Sequence, residues 1–422
     1  MSGRGAEHPA PTELEEITSR ISDLSKWREI FNFRGLEINS TTHQGLQQLL
    51  FRNTTSLFGW EWAAANFSFH PAHSNLAYAL QAGKGGTRAI LAAVQAHIIT
   101  YLLFTRDTER THLERLCRVG RREQGQALAT ALAETLWAAG GGDRAVVCLV
   151  TAPVTATPPE GFRASSFTEK IRLFEFSEKA AAQEFISDHI NCFEGEGNHG
   201  VILFLFSLLF SRTLERVQED LGDTAPLLNA SSGNVTCTEA VLSLLLTGRA
   251  SPRGLGGHRE PGAGRGEAAG PGQRGPVGFL RWERAPGQRQ VRGTQGQRDT
   301  RTAGLAVPLQ CPPAQVSPAL RSPRVPVWLC SLSGRHGVLF GTDCRLLSDW
   351  KSERLFQLYF CSGQQERTRT AHLTVDTHSH HWEEAPREGP CSPGQRRPAL
   401  EMAIRTRWAG ATVSWNGTDP FF

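Results

Sequence analysis

The chain has 422 residues, of which 39% are hydrophobic, and its formal net charge at pH 7 is +4. This length and apolar content suit one large or two medium folded domains, which excludes a fully disordered chain. Many of its arginines fall in one Gly/Pro-rich stretch, where charge promotes solvation rather than a binding groove. The charge pattern therefore predicts no nucleic-acid partner.

The N-terminal sequence, the longest apolar run and the cysteines together predict in which compartment the protein resides. The N-terminal residues Met1 to Glu16 carry prolines and charges but lack the apolar core of a secretory signal. The longest apolar run, Val201 to Phe210, is about half the length needed to span a bilayer. Nine cysteines without a CxxC pair favour reduced thiols over a disulfide framework. We therefore expect a soluble intracellular protein, cytoplasmic or nuclear, with no membrane partner.

The N-terminal half is predicted to be mainly helical. Residues 1–55 form a polar leader in which Leu14 to Ile30 has apolar residues at helical spacing. Residues 56–250 form a first globular block with dense apolar periodicity. Its predicted elements are helices at Ala89 to Phe104 and Gln124 to Ala139, a buried strand at Val146 to Val154, and one long helix at Asn198 to Leu221.

Residues 251–323 differ in texture, because Gly, Pro, Arg and Gln dominate and only Val277 to Trp282 has an apolar pattern. Such a segment buries too little apolar surface to offset its ordering entropy, so we predict a disordered insertion. Its composition also matches translated GC-rich non-coding sequence. That match leaves open the interpretation that the chain is the non-functional product of a decaying gene or a faulty gene model.

Residues 324–422 are predicted to form a second, strand-rich block. Strands are expected at Val325 to Cys330 and Gly337 to Gly341, where apolar and β-branched residues cluster. A polar insert, Asp376 to Arg397, precedes a tail, Leu400 to Trp415, that is also expected to be rich in strands. With the first block, this predicts an α+β fold.

A glycine turn precedes the most apolar predicted helix. Gly85 and Gly86 are followed by Thr87 and Arg88, and the helical pattern begins directly after them. A helix start of this kind suits a nucleophilic cysteine in thiol hydrolases, because free N–H groups and the positive end of the helix dipole stabilise a thiolate. Two glycines are equally typical of an ordinary helix-entry turn, so spacing alone leaves both interpretations open.

Five segments of the chain, taken in order, carry a resemblance to one enzyme family. They are Tyr78 to Phe104 (YALQAGKGGTRAILAAVQAHIITYLLF), Gly200 to Asp220 with Ser211, Arg212 and Glu215, Cys237 to Gly248 (CTEAVLSLLLTG), Ser322 to Phe340 (SPRVPVWLCSLSGRHGVLF) and Ile404 to Phe421 (IRTRWAGATVSWNGTDPF). Together they resemble the MINDY family of cysteine deubiquitinases, in the branch that contains its third and fourth members and on the fourth-member-like side. The resemblance implies a cysteine-protease-like catalytic domain, split here by the predicted insertion. It also implies a ubiquitin or polyubiquitin partner, and chains that target proteins to the proteasome as substrate.

Carried over onto this sequence, the family's active site is incomplete. The nucleophile position falls on Arg88, whose guanidinium cannot attack a carbonyl. The general-base position falls on Arg335, with His336 as a base displaced by one residue, which on a strand turns a side chain to the opposite face. Gln81 lies one residue away from the position of the family's oxyanion glutamine and is a displaced donor. The resemblance with these departures predicts an inactive pseudo-deubiquitinase.

The remaining cysteines and a histidine cluster are further candidates for chemistry. Cys237 opens a predicted helix, and active relatives resemble this chain there, so we interpret it as structural. Cys117, Cys330 and Cys344 have no histidine partner that sequence can establish. The cluster His378, His380 and His381 has metal-like spacing but no distant partner set, so we predict no metal and no cofactor. An active or weakly active enzyme that uses a displaced thiol, and a non-catalytic ubiquitin-binding scaffold, remain alternatives.

Overall fold

The computed structural model describes most of the two predicted blocks. The described residues are 36–37 (backbone only), 40–52, 58–81, 85–106, 113–150, 171–222, 225–231, 234–256, 274–283, 316–362, 369–379, 398–418 and 420. The predicted leader helix, Leu14 to Ile30, lies outside these residues.

Helices dominate the first block. The α-helices are α1 (Ser40–Phe51), α2 (Trp60–Ala63), α3 (Arg88–Thr100), α4 (Leu113–Leu116), α5 (Arg121–Ala139), α6 (Lys179–Asp188), α7 (Asn191–Glu194), α8 (Gly200–Arg212), α9 (Leu214–Leu221), α10 (Glu239–Thr247), α11 (Pro318–Arg321) and α12 (Ala399–Arg407). A π-helical turn, Tyr101–Thr105, extends α3, and a 3-10 turn, Cys344–Leu347, follows the central strands of the second block.

Strands dominate the second block. The strands of the leader and first block are β1 (Leu36–Glu37), β2 (Ala145–Val150), β3 (Ile171–Phe176), β4 (Leu228–Ser231) and β5 (Asn234–Cys237). Strand β6 (Gly278–Trp282) lies in the predicted insertion. The strands of the second block are β7 (Val327–Leu332), β8 (Arg335–Phe340), β9 (Leu355–Cys361), β10 (Ala371–Asp376) and β11 (Thr412–Ser414). The main sheet has the order β11-β10-β9-β8-β7-β6, and its neighbours are antiparallel except for β6 beside β7. The predicted α+β class is confirmed.

The main sheet lies between helices on both faces. Helix α3 packs on β7 and β8 and also against α5 and α10, while α12 covers β6 and β7. Side chains of β8 alternate accordingly, because Val338 and Phe340 belong to the core shared with α3 and Leu339 belongs to the core under α12. This alternation decides which residues of β8 face the start of α3.

Helix α8 forms the centre of the first block. Its sequence is apolar on every side, which is the pattern of a helix surrounded by other elements, and Gly200 to Ser211 are all buried. Two of its hydroxyls serve the neighbouring small sheet, since Ser207 Oγ and Ser211 Oγ each accept from a β2 N–H group at 2.8 Å. The serine of the Ser211-Arg212 pair therefore has a structural contact here.

Two predicted elements differ from the structure. The predicted helix Asn198 to Leu221 is two helices, because Thr213 adopts φ 72° and ψ 144°, ends α8, and accepts from Arg216 N as the N-cap of α9. The predicted strand-rich tail begins instead with α12, whose Leu400 and Ile404 are buried at helical spacing. Only β11 in this tail is a strand.

The predicted boundaries of the insertion and leader are also corrected. Residues 274–283 contain β6, a strand of the main sheet, because Phe279 and Leu280 are fully buried on opposite faces. Residues 316–323 contain α11. At the other end, α1 lies within the predicted leader, yet Leu46 and Leu50 are 1% exposed in the main core. The rest of 251–323, apart from 251–256, lies outside the described residues.

Among the described residues, one helical run is long and apolar enough to cross a bilayer by length and composition. This run is Arg88–Thr105, and 67% of it is buried inside the fold. Such burial is typical of the core helix of a folded domain.

Candidate functional site

The glycine turn before α3 is fixed by close backbone packing. Gly85 has φ 127°, a conformation that residues with a Cβ rarely adopt. A Cβ added to Gly86 would lie 1.6 Å from the carbonyl oxygen of Val235 in β5. The same carbonyl accepts from Trp62 Nε1 at 2.8 Å. These contacts hold the turn against β5 and so fix where α3 begins.

Helix α3 begins at Arg88, directly after the glycine turn and one residue before the predicted start at Ala89. The Thr87 side chain does not cap the helix, so the positive end of the helix dipole has no side-chain acceptor from its N-cap residue. Arg88 is half-buried at this end. The guanidinium charge and the positive end of the helix dipole therefore coincide at the predicted nucleophile position.

A small cavity lies between the first turns of α3 and the edges of β8 and β9. It encloses about 20 Å³, room for a group of roughly the size of a water molecule. Its lining residues come from both blocks: Leu80, Arg88, Leu91, Ala92, Gln95, His336, Gly337, Val338, Cys361 and Ser362. The two halves of the chain therefore meet at the predicted nucleophile position.

His336 faces this cavity in an electropositive setting. Its β8 position pairs with Ser331, and Ser331 pairs with Arg281 of β6, so the three residues form one row across the sheet. Burial is the largest cause that lowers the pKa of His336, and together with the charges of Arg281 and Arg88 it brings that pKa to about 4. His336 is therefore neutral at pH 7 and has the protonation state of a general base.

The Arg281 guanidinium has its own carboxylate partners. Its Nη2 donates to Glu239 Oε2 at 2.8 Å, at the start of α10, and its Nε lies 3.6 Å from Glu283 Oε1. Arg281 therefore ties β6 to α10 beside the His336 row. This arginine was missed in sequence because it lies inside the segment predicted to be disordered.

Arg335, the predicted base position, is exposed at the start of β8. Adjacent residues on a strand face opposite sides, so Arg335 points away from the face that carries His336, Val338 and Phe340. The structure thus brings His336 to Arg88 and places Arg335 outside the cavity lining.

The two glutamines near the cavity are held by backbone groups. Gln81 Nε2 donates to Phe69 O at 2.8 Å, and Gln81 is not a lining residue. Gln95 lines the cavity, but its Oε1 accepts from Leu80 N at 2.6 Å and its Nε2 donates to Tyr78 O at 2.9 Å. Both amides therefore have a structural role in this geometry. The sequence did not identify Gln95 as a residue of the site.

Burial suppresses thiolate formation at three of the cysteines considered above. Burial raises the pKa of Cys237 to about 12, and it raises the pKa values of Cys330 and Cys117. Cys237 lies beside the glycine turn, where its Sγ contacts Gly86 O at 3.6 Å. Cys344 is exposed on the 3-10 turn.

Cys361 is the cysteine that sequence reasoning missed. It ends β9, pairs with Val338 of β8, and lines the same cavity as Arg88 and His336. Residues two apart along a paired strand share a face, so Cys361 and His336 occupy neighbouring positions on the α3 side of the sheet. Cys361 is 5% exposed.

Among the described residues, no group of three or more His, Cys, Asp or Glu side chains is placed to hold a metal ion. His378 is exposed after β10, and its predicted companions His380 and His381 lie outside the described residues.

A helix that starts at a glycine turn and faces a histidine on a neighbouring sheet is an arrangement typical of thiol hydrolases, and Arg88 lies at the position predicted for the thiol. The family model "Deubiquitinating enzyme MINDY-3/4, conserved domain" matches residues 47–417. The chain therefore belongs to the MINDY-3/4 deubiquitinase family, as its five segments predicted.

Curated relatives agree with this assignment. The chain is 32% identical over 98% of its length to the probable ubiquitin carboxyl-terminal hydrolase MINDY-4 of Mus musculus and covers 49% of that protein. It is 29% identical over 98% of its length to the Homo sapiens protein of that name, covering 48%. With the ubiquitin carboxyl-terminal hydrolase MINDY-3 of Bos taurus it shares 25% identity over 67% of this chain and 62% of that relative.

The chain thus spans about half the length of the MINDY-4 relatives it matches. No solved structure matches it.

Proposed function

We propose that this chain is a pseudo-deubiquitinase, which binds ubiquitin or polyubiquitin without cleaving it. The observation that carries the proposal is Arg88 at the first position of α3, in one cavity with His336. A guanidinium stays protonated and has no lone pair to attack a carbonyl, so the residue at the start of α3 cannot act as the nucleophile. The family supplies ubiquitin as the partner to test first.

The remaining architecture supports retention of a binding role. The glycine turn, the packing of α3 on β7 and β8, and a neutral histidine on the α3 face are all present. These features position groups around a ligand even when no bond is broken. Polyubiquitin of the linkage that targets proteins to the proteasome is the form that the family resemblance favours.

A second candidate is a weakly active cysteine hydrolase. Cys361 favours it, because this thiol shares the cavity with His336. Its position at the end of a strand lacks the helix N-terminus that stabilises thiolates in this class, and its side chain is nearly enclosed. We therefore rank it below the binding role.

Two measurements on the purified full chain separate these candidates. Binding is measured by calorimetry with mono- and polyubiquitin, and cleavage is measured with polyubiquitin at high enzyme concentration. The binding role predicts saturable binding with no cleavage. Cleavage that disappears in Cys361→Ser would establish the second candidate, and absence of both binding and cleavage would refute both.

A further inference from the structure

Two large apolar side chains of the second block are exposed, as far as the structure describes that block. Trp350, in the loop between β8 and β9, is 67% exposed, and Leu355, the first residue of β9, is 65% exposed. Single exposed apolar residues are ordinary on a protein surface, but tryptophan is enriched where proteins bind one another. The surroundings of these two side chains therefore decide whether they serve a partner.

Two cations are held beside the Trp350 ring. Lys351 Nζ lies 5.9 Å from the ring centroid, and the guanidinium carbon of Arg354 lies 5.7 Å from it. Both distances are within the range of a cation–π interaction, which keeps the two charges next to an exposed aromatic surface. Both side chains are themselves exposed, and neither forms an ion pair with a carboxylate that the structure describes.

The two carboxylates that flank this tryptophan in sequence have other partners. Glu353 Oε1 accepts from Arg407 Nη2 of α12 at 2.8 Å. Asp349 Oδ1 accepts from the backbone N–H of Lys351 at 3.0 Å, within the loop itself. The loop therefore leaves the ammonium of Lys351 and the guanidinium of Arg354 available to a ligand.

This surface is separate from the cavity that contains Arg88. The loop precedes β9, whereas Cys361, which lines the cavity, is the last residue of that strand. At about 3.3 Å per residue, the seven residues of β9 place the loop about 20 Å from Cys361. A ligand of the loop can therefore bind without entering the cavity.

We propose that the Trp350 surface, residues 349–355, binds a short acidic segment of a partner protein in which an apolar side chain lies between carboxylates. The apolar side chain packs on the exposed ring of Trp350, and the carboxylates pair with Lys351 and Arg354. Leu355, which directly follows Arg354, adds apolar area at this end of β9. The cation–π contacts already hold both charges, so binding costs less side-chain entropy than pairing with two extended cations.

An anionic membrane suits this surface less well. Asp349 and Glu353 lie beside the two cations in the chain, and a continuous negative surface would repel them. A peptide can place its carboxylates at the cations alone. The pattern of charge therefore favours a peptide partner.

The test begins with random peptides displayed on phage and selected on the full chain, from which binders of the Trp350→Ala chain are removed. The enriched peptides should carry several Asp or Glu residues next to an aromatic or aliphatic one. Fluorescence polarisation then compares an enriched peptide with a version in which every Asp and Glu is replaced by the corresponding amide. The acidic form should bind at least about tenfold more tightly, since charge-assisted hydrogen bonds contribute on that scale.

Variants of the chain locate the binding. The double variant Lys351→Gln and Arg354→Gln should lose at least about tenfold in affinity for the acidic peptide, because both ion pairs disappear. Two matched controls should keep the affinity of the wild-type chain. Trp60→Ala removes a tryptophan that is 78% exposed in the first block, and Arg118→Gln removes an exposed cation.

Every other occupant of the surface has its own result. No enrichment, or enrichment of neutral or basic peptides, would overturn the proposal. Binding to phosphatidylserine vesicles that is lost in Trp350→Ala would assign the surface to a membrane, and a dimer lost in that variant would assign it to a second copy of the chain. Ubiquitin binding that is lost in Trp350→Ala would make it part of the ubiquitin site. Each of these three results would also overturn an acidic peptide partner.

Discussion

Arg88, at the start of α3, and His336, on β8, line one cavity although 247 positions separate them in the sequence. The nearby guanidinium charge disfavours protonation of His336, in addition to burial. The pair therefore links the predicted nucleophile position to a neutral histidine that has the protonation state of a base.

Removal of the Arg88 charge should raise the pKa of His336. Burial is the largest cause of its lowered value of about 4, so in Arg88→Gln the pKa should rise but stay below the ordinary value of 6.5. Titration of the His336 ring by NMR in both proteins measures the shift. Arg335→Gln serves as the matched comparison, and a larger effect there than in Arg88→Gln would contradict the placement of the two arginines.

Acid should destabilise the fold through buried neutral histidines. Burial lowers the pKa of His97 on α3 from 6.5 to about 4, so the unfolded chain binds the proton more tightly. The free energy of unfolding should therefore be complete above pH 6.5 and fall between pH 6.5 and 4, by about 3 kcal/mol for this group. Urea unfolding across this range should show a shallower fall in His97→Gln. The exposed His378→Gln should keep the full slope, and equal slopes in both variants would refute the assignment.

Gly86 should tolerate no side chain. In Gly86→Ala the new Cβ would collide with the backbone carbonyl of Val235, which already accepts a hydrogen bond from Trp62. The free energy of unfolding should therefore drop by about 1–3 kcal/mol. Gly125 in α5 is the matched control, because its Cβ would meet nothing within 4 Å. Gly125→Ala should stabilise the fold by about 0.5–1 kcal/mol through helix propensity. Similar losses in both variants would show that the turn is not tightly packed.

Strand β6 should be essential to the fold, although it lies within the segment predicted to be an insertion. Phe279 is 0% exposed, so Phe279→Ala should cost about 3–5 kcal/mol in urea unfolding. Trp350→Ala, at a side chain that is 67% exposed, should change stability by less than about 0.5 kcal/mol. A neutral Phe279→Ala would mean that residues 274–283 do not belong to the sheet, and would revive the interpretation of this segment as foreign to the domain.

The start of α3 could be predicted because two local signals agree there, a glycine turn and a following apolar helical pattern. Other features depended on tertiary packing. Thr213 divides the predicted helix Asn198 to Leu221 in two, because its backbone leaves the helical conformation. Nothing in the neighbouring sequence predicts this conformation. Cys361 joins the site only because β9 pairs with β8, a contact between strands that no local pattern encodes.

For strand β8, the alternation of side chains identifies the residue that faces α3 better than alignment to the family motif does. The family resemblance places the base position on Arg335. The two-residue period of a strand puts His336 on the same face as Val338 and Phe340, whose burial against α3 fixes that face. The face could therefore have been inferred from the sequence, whereas the opposing element could not.

Reaction with a ubiquitin that carries a C-terminal electrophile tests the central claim most directly, namely that Arg88 occupies the nucleophile position opposite His336. The wild-type chain should form no covalent adduct, and Arg88→Cys should form one at position 88, as identified by mass spectrometry. Adding His336→Gln should slow that reaction by about a hundredfold or more, since a positioned general base contributes on this scale, whereas adding Arg335→Gln should not. A wild-type adduct at Cys361, or an Arg88→Cys variant that depends on Arg335 rather than His336, would contradict the account.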